Sequence, residues 1–282
     1  GSAILMSQPP YRSQQTRPPA VAGLFYPAEP ARLRADVESM LTGARADADA
    51  APTPPAALIV PHAGYVYSGP TAALAWARAE SLRGRVRRVV LLGPAHRMGV
   101  RALALPGHRA MDTPLGPVTV EVPAQIEALA SSSLVVARPD VHAAEHSLEV
   151  QLPFLLTVLP EASVVPLAVG RVDADRVAEA IRPFLGGSDT LVVVSSDLSH
   201  YLPQAEARRV DDATIERILA LRADISPDEA CGATCINALL LAAGEQGLGP
   251  RLLGTATSAD TIGTPERVVG YGAIAFDAPA AP

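Results

Sequence analysis

The sequence predicts a single three-layer α/β/α domain whose central sheet is largely parallel, with antiparallel strands added at its margins. Three observations predict it. Short apolar runs of strand length recur at 57–60, 89–92, 164–169 and 191–194. Stretches with apolar residues at helical spacing alternate with them, the pattern of βαβ units. Three of the runs lead within a few residues to a histidine: His62 in ALIVPHAGYVYSG, His96 in VVLLGPAH and His200 in LVVVSSDLSH. In open α/β sheets, sites form at the carboxyl ends of the strands. Three such ends, each with an imidazole, are therefore expected to share one edge.

The elements follow in order. Residues 1–5, ahead of Met6, read as a cloning remnant, and 7–19 as a proline-rich mobile tail or an arm on the surface. The domain is expected at 20–278, with 1–19 outside it. Leu33, Val37, Met40 and Leu41 predict a helix over 30–41, and 43–55 an Ala/Asp/Pro linker. After the His62 loop a helix is expected over 70–79, then a strand to Leu92 and the His96 loop. Short strands are expected at 102–105 and 118–120 around a turn rich in Pro and Gly. Helices are predicted at 124–130, 147–159, 174–185 and 206–221, and strands at 164–169 and 191–194. Ser226 and Pro227 have the chemistry of a helix start, and 231–244 reads helical. Strands at 252–256 and 268–276 close the chain.

The totals exclude several classes. With 282 residues, 49% apolar and 18% charged, the chain can bury a large core. A net charge of −6 argues against nucleic acid as an obligatory partner, because phosphate binding needs a basic face. No apolar run approaches the roughly 20 residues that span a bilayer. Two cysteines and no visible secretory signal make the cytoplasm the expected compartment.

Imidazole ligates Fe, Cu and Zn and also shuttles protons, so the convergence of His62, His96 and His200 predicts a shared site. Asp197, three residues before His200, can orient an imidazole or cap the turn after its strand. Cys231 stands at a helix start, where a thiol pKa is lowered and a thiolate can bind metal; the alternative is a small buried residue. Cys235 lies in an apolar run and is the weaker ligand. His146, beside Glu145 and three residues before Glu149, is expected to support the site from behind its ligands, and Glu149 receives no role. Tyr65, Tyr67 and Tyr201 flank the histidines and either line a pocket or pack against the loops. No phosphate-binding glycine fingerprint and no Gly-x-Ser-x-Gly elbow is present. Ser195, Ser196, Asp197 and His200 are too close together for the usual hydrolase triad.

Several longer blocks carry a resemblance: AVAGLFYP, VPHAGYVYSG, LLGPAHR, DTPLG, EHSLEVQLPFL, VVSSDLSHY, CGATCINALL and VVGYGAIAF. Through them the chain resembles the Memo family, also called AmmeMemoRadiSam system protein B, over nearly its whole length. The resemblance implies the fold of class III extradiol dioxygenases and a non-haem metal site. It implies His62, His96 and Cys231 as metal ligands, with Asp197 and His200 as the other reactive pocket residues. Fe(II) is the implied metal, with Cu or Zn as alternatives. In the related dioxygenases the third ligand is a carboxylate; a thiolate here softens the site. The resemblance further implies a metal-dependent oxidoreductase of dioxygenase type on a small substrate. It alternatively implies a metal- or peptide-binding protein on the same scaffold, functionally linked to a radical-SAM protein.

Overall fold

The computed structural model describes residues 15–48 and 53–279. The expected remnant at 1–5, and the arm as far as residue 14, lie outside the described residues. The chain begins with β1 (Thr16–Arg17), α1 (Pro30–Ala48), β2 (Pro55–Val60), α2 (Tyr65–Arg78) and β3 (Arg88–Pro94). Short elements follow: β4 (Leu103–Leu105), β5 (Ala110–Thr113), β6 (Gly116–Thr119), α3 (Ala124–Glu127), β7 (Val135–Ala137) and α4 (Pro139–Ala143). Then come α5 (Leu152–Val158), β8 (Ser163–Val169), α6 (Ala174–Ile181), β9 (Thr190–Ser195) and β10 (His200–Leu202). The chain closes with α7 (Gln204–Leu219), α8 (Ala233–Gln246), β11 (Gly249–Thr257) and β12 (Val268–Asp277).

The main sheet has nine strands in the order β10-β12-β2-β9-β3-β8-β4-β7, with β11 also paired to β12. Its centre, β2-β9-β3-β8, is parallel throughout. β12 joins β2 antiparallel, and β10 and β11 join β12 antiparallel. β1, β5 and β6 form a separate small sheet. The pleat sends alternate residues of each central strand into opposite cores. Leu58, Val60, Val89, Leu91, Leu191 and Val193 pack with Leu33, Val37, Trp76 and Phe154 from α1, α2 and α5. Ala57, Ile59, Val90, Leu92, Val192 and Val194 pack with Ile181, Ile215, Ile218 and Leu239 from α6, α7 and α8. Strands buried on both faces read as continuous apolar runs, which is why they were visible in the sequence. The domain is thus the expected three-layer α/β/α arrangement.

Several local expectations differ from the structure. α2 starts at Tyr65, so Tyr65, Tyr67 and Gly69 are helical and Pro70 lies inside the helix. Pro70 forfeits only the bond to the carbonyl of Val66, an exposed residue. The helix expected over 147–159 has a single 3-10 turn at Glu149–Gln151 before α5. No helix starts at Ser226, because Arg217 holds the Glu229 carboxylate with two hydrogen bonds of 2.6 Å and closes a turn there instead. The strands expected at 102–105 and 118–120 do not pair with each other: β4 joins the main sheet beside β8, and β6 pairs with β5. Residues 16–17 are a strand of the small sheet rather than mobile, and Arg17 is buried.

Candidate metal centre

β2, β9 and β3 are neighbours and run parallel, so their carboxyl ends meet on one edge. β2 leads through Pro61 to His62, β9 through Ser196 to Asp197, and β3 through Ala95 to His96. His146 enters the same edge from the turn before α5. The ring centroids of His62 lie 5.3 Å from those of both His96 and His146, and the His96 and His146 rings stack at 4.8 Å. One ligand nitrogen from each of His62, His96 and His146 lies within 4.8 Å of the other two. Nitrogens bound at about 2.1 Å to one ion are at most about 4.2 Å apart, so side-chain shifts of under an ångström would seat a metal.

The partners behind the rings decide which nitrogens face the site. Trp76 Nε1–H can only donate, and it reaches Gln151 Oε1 at 2.8 Å. The Gln151 amide nitrogen therefore faces the other way and donates to Pro61 O at 2.9 Å and to Ser195 Oγ at 3.0 Å. The single Ser195 hydroxyl proton goes to the Ser147 carbonyl at 2.6 Å. Ser195 Oγ can then only accept from His62 Nδ1, 2.9 Å away. His62 thus carries its proton on Nδ1 and presents the Nε2 lone pair.

Glu145 does the same for His96. Its buried carboxylate accepts the His96 main-chain N–H, and its other oxygen lies 2.9 Å from His96 Nδ1. It also accepts the Ser147 N–H at 3.0 Å. Burial alone would raise the Glu145 pKa, but the His96 ring hydrogen bond and the two main-chain donors bring it down to about 2. An ionised carboxylate behind the ring fixes His96 with Nε2 free and raises its basicity as a ligand. His146 Nδ1 is buried with no hydrogen-bond partner among the described residues, and the ring lies between Phe25 and His96. Burial first, then the neighbouring His62, lowers His146 to about 4; burial and then His96 lower His62 to about 3. Both imidazoles are neutral at pH 7, the form that binds metal.

Cys231 approaches from the start of α8, with Sγ 3.3 Å from His62 Nε2. Gly232 permits this approach, because a Cβ there would lie 2.7 Å from Ser196 Cβ. The helix start was expected to lower the thiol pKa. Burial, reinforced by Asp197, instead pushes it up to about 12 in the absence of a cation. Cys235 is buried within α8.

The remaining predicted residues divide. Asp197 was expected to orient His200, but its Oδ1 accepts the His62 N–H at 2.7 Å and its Oδ2 lies 3.8 Å from His62 Nε2. Burial raises its pKa. His200, half-buried at the head of β10, has no hydrogen bond to Asp197 among the described residues, and the histidine that joins His62 and His96 is His146 rather than His200. Tyr65 is packed between Tyr26 and Phe154 and donates to Val150 O at 2.5 Å, so it belongs to the core. Tyr201 is exposed, under the Arg267 guanidinium at 4.5 Å.

Sequence reasoning missed the supporting layer. Ser195, Gln151 and Glu145 sit in or beside the quoted blocks, yet only the fold shows which ring each one holds. It also missed Arg17. The buried guanidinium pairs with Glu149 at 2.5 Å and donates to the carbonyls of His142 at 2.7 Å and Glu145 at 2.9 Å. Glu149 in turn accepts from Ala20 N at 2.6 Å, Val21 N at 2.9 Å and the Tyr26 hydroxyl at 2.8 Å. The turn that presents Glu145 and His146 is therefore pinned to the first described strand.

Fold and site together define an α/β protein with a histidine group able to hold a metal ion at the carboxyl edge of its sheet. The chain belongs to the Memo-like family: the family described as "Memo-like protein" matches residues 17–275. A "MEMO1 family protein" of Sulfolobus acidocaldarius is 35% identical, covering 92% of this chain and 99% of that one. The relative "MEMO1 family protein MK0963" from Methanopyrus kandleri is 36% identical over 92% of this chain and 98% of its own. A third relative, from Thermotoga maritima, is 35% identical over 90% of this chain and 97% of its own. A solved uncharacterised protein of Escherichia coli K12 aligns with a TM-score of 0.46 at 12% identity, over 77% of this chain and 98% of that one. Among the described residues no helix is long and apolar enough to cross a membrane.

Proposed function

We propose that this chain is a metal-dependent oxidoreductase of dioxygenase type acting on a small substrate. The observation that carries the reading is the pair of imidazoles whose Nδ1 protons are held by buried acceptors, Ser195 Oγ and Glu145, so that both Nε2 atoms are free at one edge of the sheet. The donor chemistry fits a transition metal: His62 and His146 neutral at pH 7, a thiol 3.3 Å from His62, and a buried His146 nitrogen without a partner among the described residues. His62, His96 and Cys231 are assigned as ligands and His146 as a neighbour able to complete or replace the set. Fe(II) is the metal favoured here, with Cu or Zn as alternatives. When bound, it would supply redox chemistry and open coordination positions for reactants.

The protein's own part is positioning and proton handling. Ser195 and Glu145 hold the two rings against rotation. Asp197 fixes the His62 main chain. His200, half-buried on β10, is assigned the proton transfer to or from the ligand. Anaerobic iron loading followed by oxygen uptake with catechols and small thiols tests the reading. Metal is expected near one equivalent, with oxygen consumption lost in His62→Ala and His96→Ala. A protein that takes up no metal, with His62→Ala indistinguishable from the parent, overturns it. Tight metal binding without oxygen consumption would favour a metal-binding role on the same scaffold.

A further inference from the structure

A cleft of 360 Å³ adjoins the candidate metal centre and shares His96 and Cys231 with it as walls. Its volume is that of a small-molecule site. Among the described residues, two arginines, Arg97 and Arg171, stand in its lining and no carboxylate does. Among the described residues neither arginine forms an ion pair. In a chain of net charge −6 this is a local reversal of sign. Behind the wall, the Glu145 carboxylate is occupied by the His96 main-chain N–H and ring. Met98, Val100 and Val169 supply an apolar side to the same cleft.

The topology explains why the two arginines are brought together. Arg97 follows His96 beyond β3, and Arg171 leaves the carboxyl end of β8, the parallel neighbour of β3. The two loops are tied by main-chain bonds: Ala95 N to Val169 O at 3.0 Å, Arg171 N to Val100 O at 2.7 Å and Gly170 N to Ala102 O at 3.1 Å. Their approach is so close that a Cβ at Gly170 would sit 1.9 Å from Val100 O. The backbone carrying both guanidinium groups is therefore set before any ligand arrives.

We propose that Arg97 and Arg171 bind the anionic end, a carboxylate or a phosphate, of a small substrate whose remainder lies toward His96 and Cys231. Guanidinium groups bind these planar or tetrahedral oxyanions by charge-assisted hydrogen bonds, and a one-signed cleft concentrates anions at its mouth. The inference names the substrate class of the proposed metal site and rests on that reading for the role of the anion. Anion binding itself needs no metal.

The test is calorimetric titration of the metal-free full chain with inorganic phosphate and, separately, with benzoate. Arg97→Met and Arg171→Met are each expected to weaken binding at least tenfold. Arg176→Met serves as control, since Arg176 lies on α6 paired with Glu179, and is expected to leave binding unchanged. Phosphate bound in preference to benzoate identifies a phosphorylated substrate; the reverse identifies a carboxylate. Binding of neither anion, or binding that survives both substitutions, overturns the inference. Metal affinity of the same variants, measured in parallel, separates the two readings. Arginine-dependent anion binding in a protein that takes up no metal refutes only the metal centre. Metal uptake without anion binding refutes only the subsite.

Discussion

Ser195 shows how much one hydroxyl can decide. It receives Gln151, donates to Ser147 and is left with one lone pair for His62 Nδ1. Ser195→Ala would leave the ring without its acceptor while touching no ligand atom. Losing such a supporting hydrogen bond commonly costs about 10–100-fold in metal affinity. That loss is expected in competition with a chelator, and an unchanged affinity would refute the tautomer assignment. Cys231 makes a second prediction at this scale. The thiol is protonated at pH 7, its pKa lying near 12, and must lose that proton to become a ligand. Unbuffered titration with a divalent metal should release about one proton per metal bound, and none in Cys231→Ser. Proton release that persists in Cys231→Ser would show that the thiol is not its source and would remove the sulfur from the ligand set.

At the scale of elements, β1 stands out. Its Arg17 joins the small sheet to the turn that carries Glu145 and His146. Breaking a buried pair from one side leaves an uncompensated charge, at a cost of about 3–5 kcal/mol. Arg17→Met should lower stability by that order in chemical denaturation. The double variant Arg17→Met with Glu149→Met should recover part of the loss. Metal affinity should fall with the single change even where the protein stays folded; an Arg17→Met protein with parental metal affinity would limit the pair to a structural role. The strands were legible in the sequence because burial on both faces leaves continuous apolar runs. β1 was not, because a two-residue strand with a buried arginine looks like any polar terminus until its acceptors are in place. The helix start at Tyr65 was hidden for a related reason: Pro70 reads as a boundary, yet within the second turn it costs a single hydrogen bond.

For the whole molecule, the consequence of burying so many histidines is a defined acid response. His142, outside the ligand group, donates from Nε2 to Ala104 O at 2.6 Å, and burial lowers its pKa to about 4. The unfolded chain, with the ordinary value near 6.5, binds the proton more tightly than the folded one. Stability is therefore full above about pH 6.5 and declines as pH falls toward about 4, by about 3 kcal/mol for this group. Denaturation midpoints measured in that window should fall with pH, and the slope should be shallower in His142→Gln; equal slopes would remove His142 from the account.

What the sequence determined by itself was the layer architecture and the meeting of His62 and His96, two of the three strand-end histidines expected to converge. Parallel strands with both faces buried announce themselves as apolar runs, and residues just past their ends have one edge to go to. Only the tertiary structure decided the partnerships. It set Asp197 against His62 rather than His200, brought the His146 ring up to the two strand-end histidines, withdrew Tyr65 into the core and set Arg97 and Arg171 in the lining of one cleft. Those outcomes depend on strand order and on hydrogen bonds between residues distant along the chain. Periodicity and spacing carry no record of either, because they report which face a residue takes and not what it meets there.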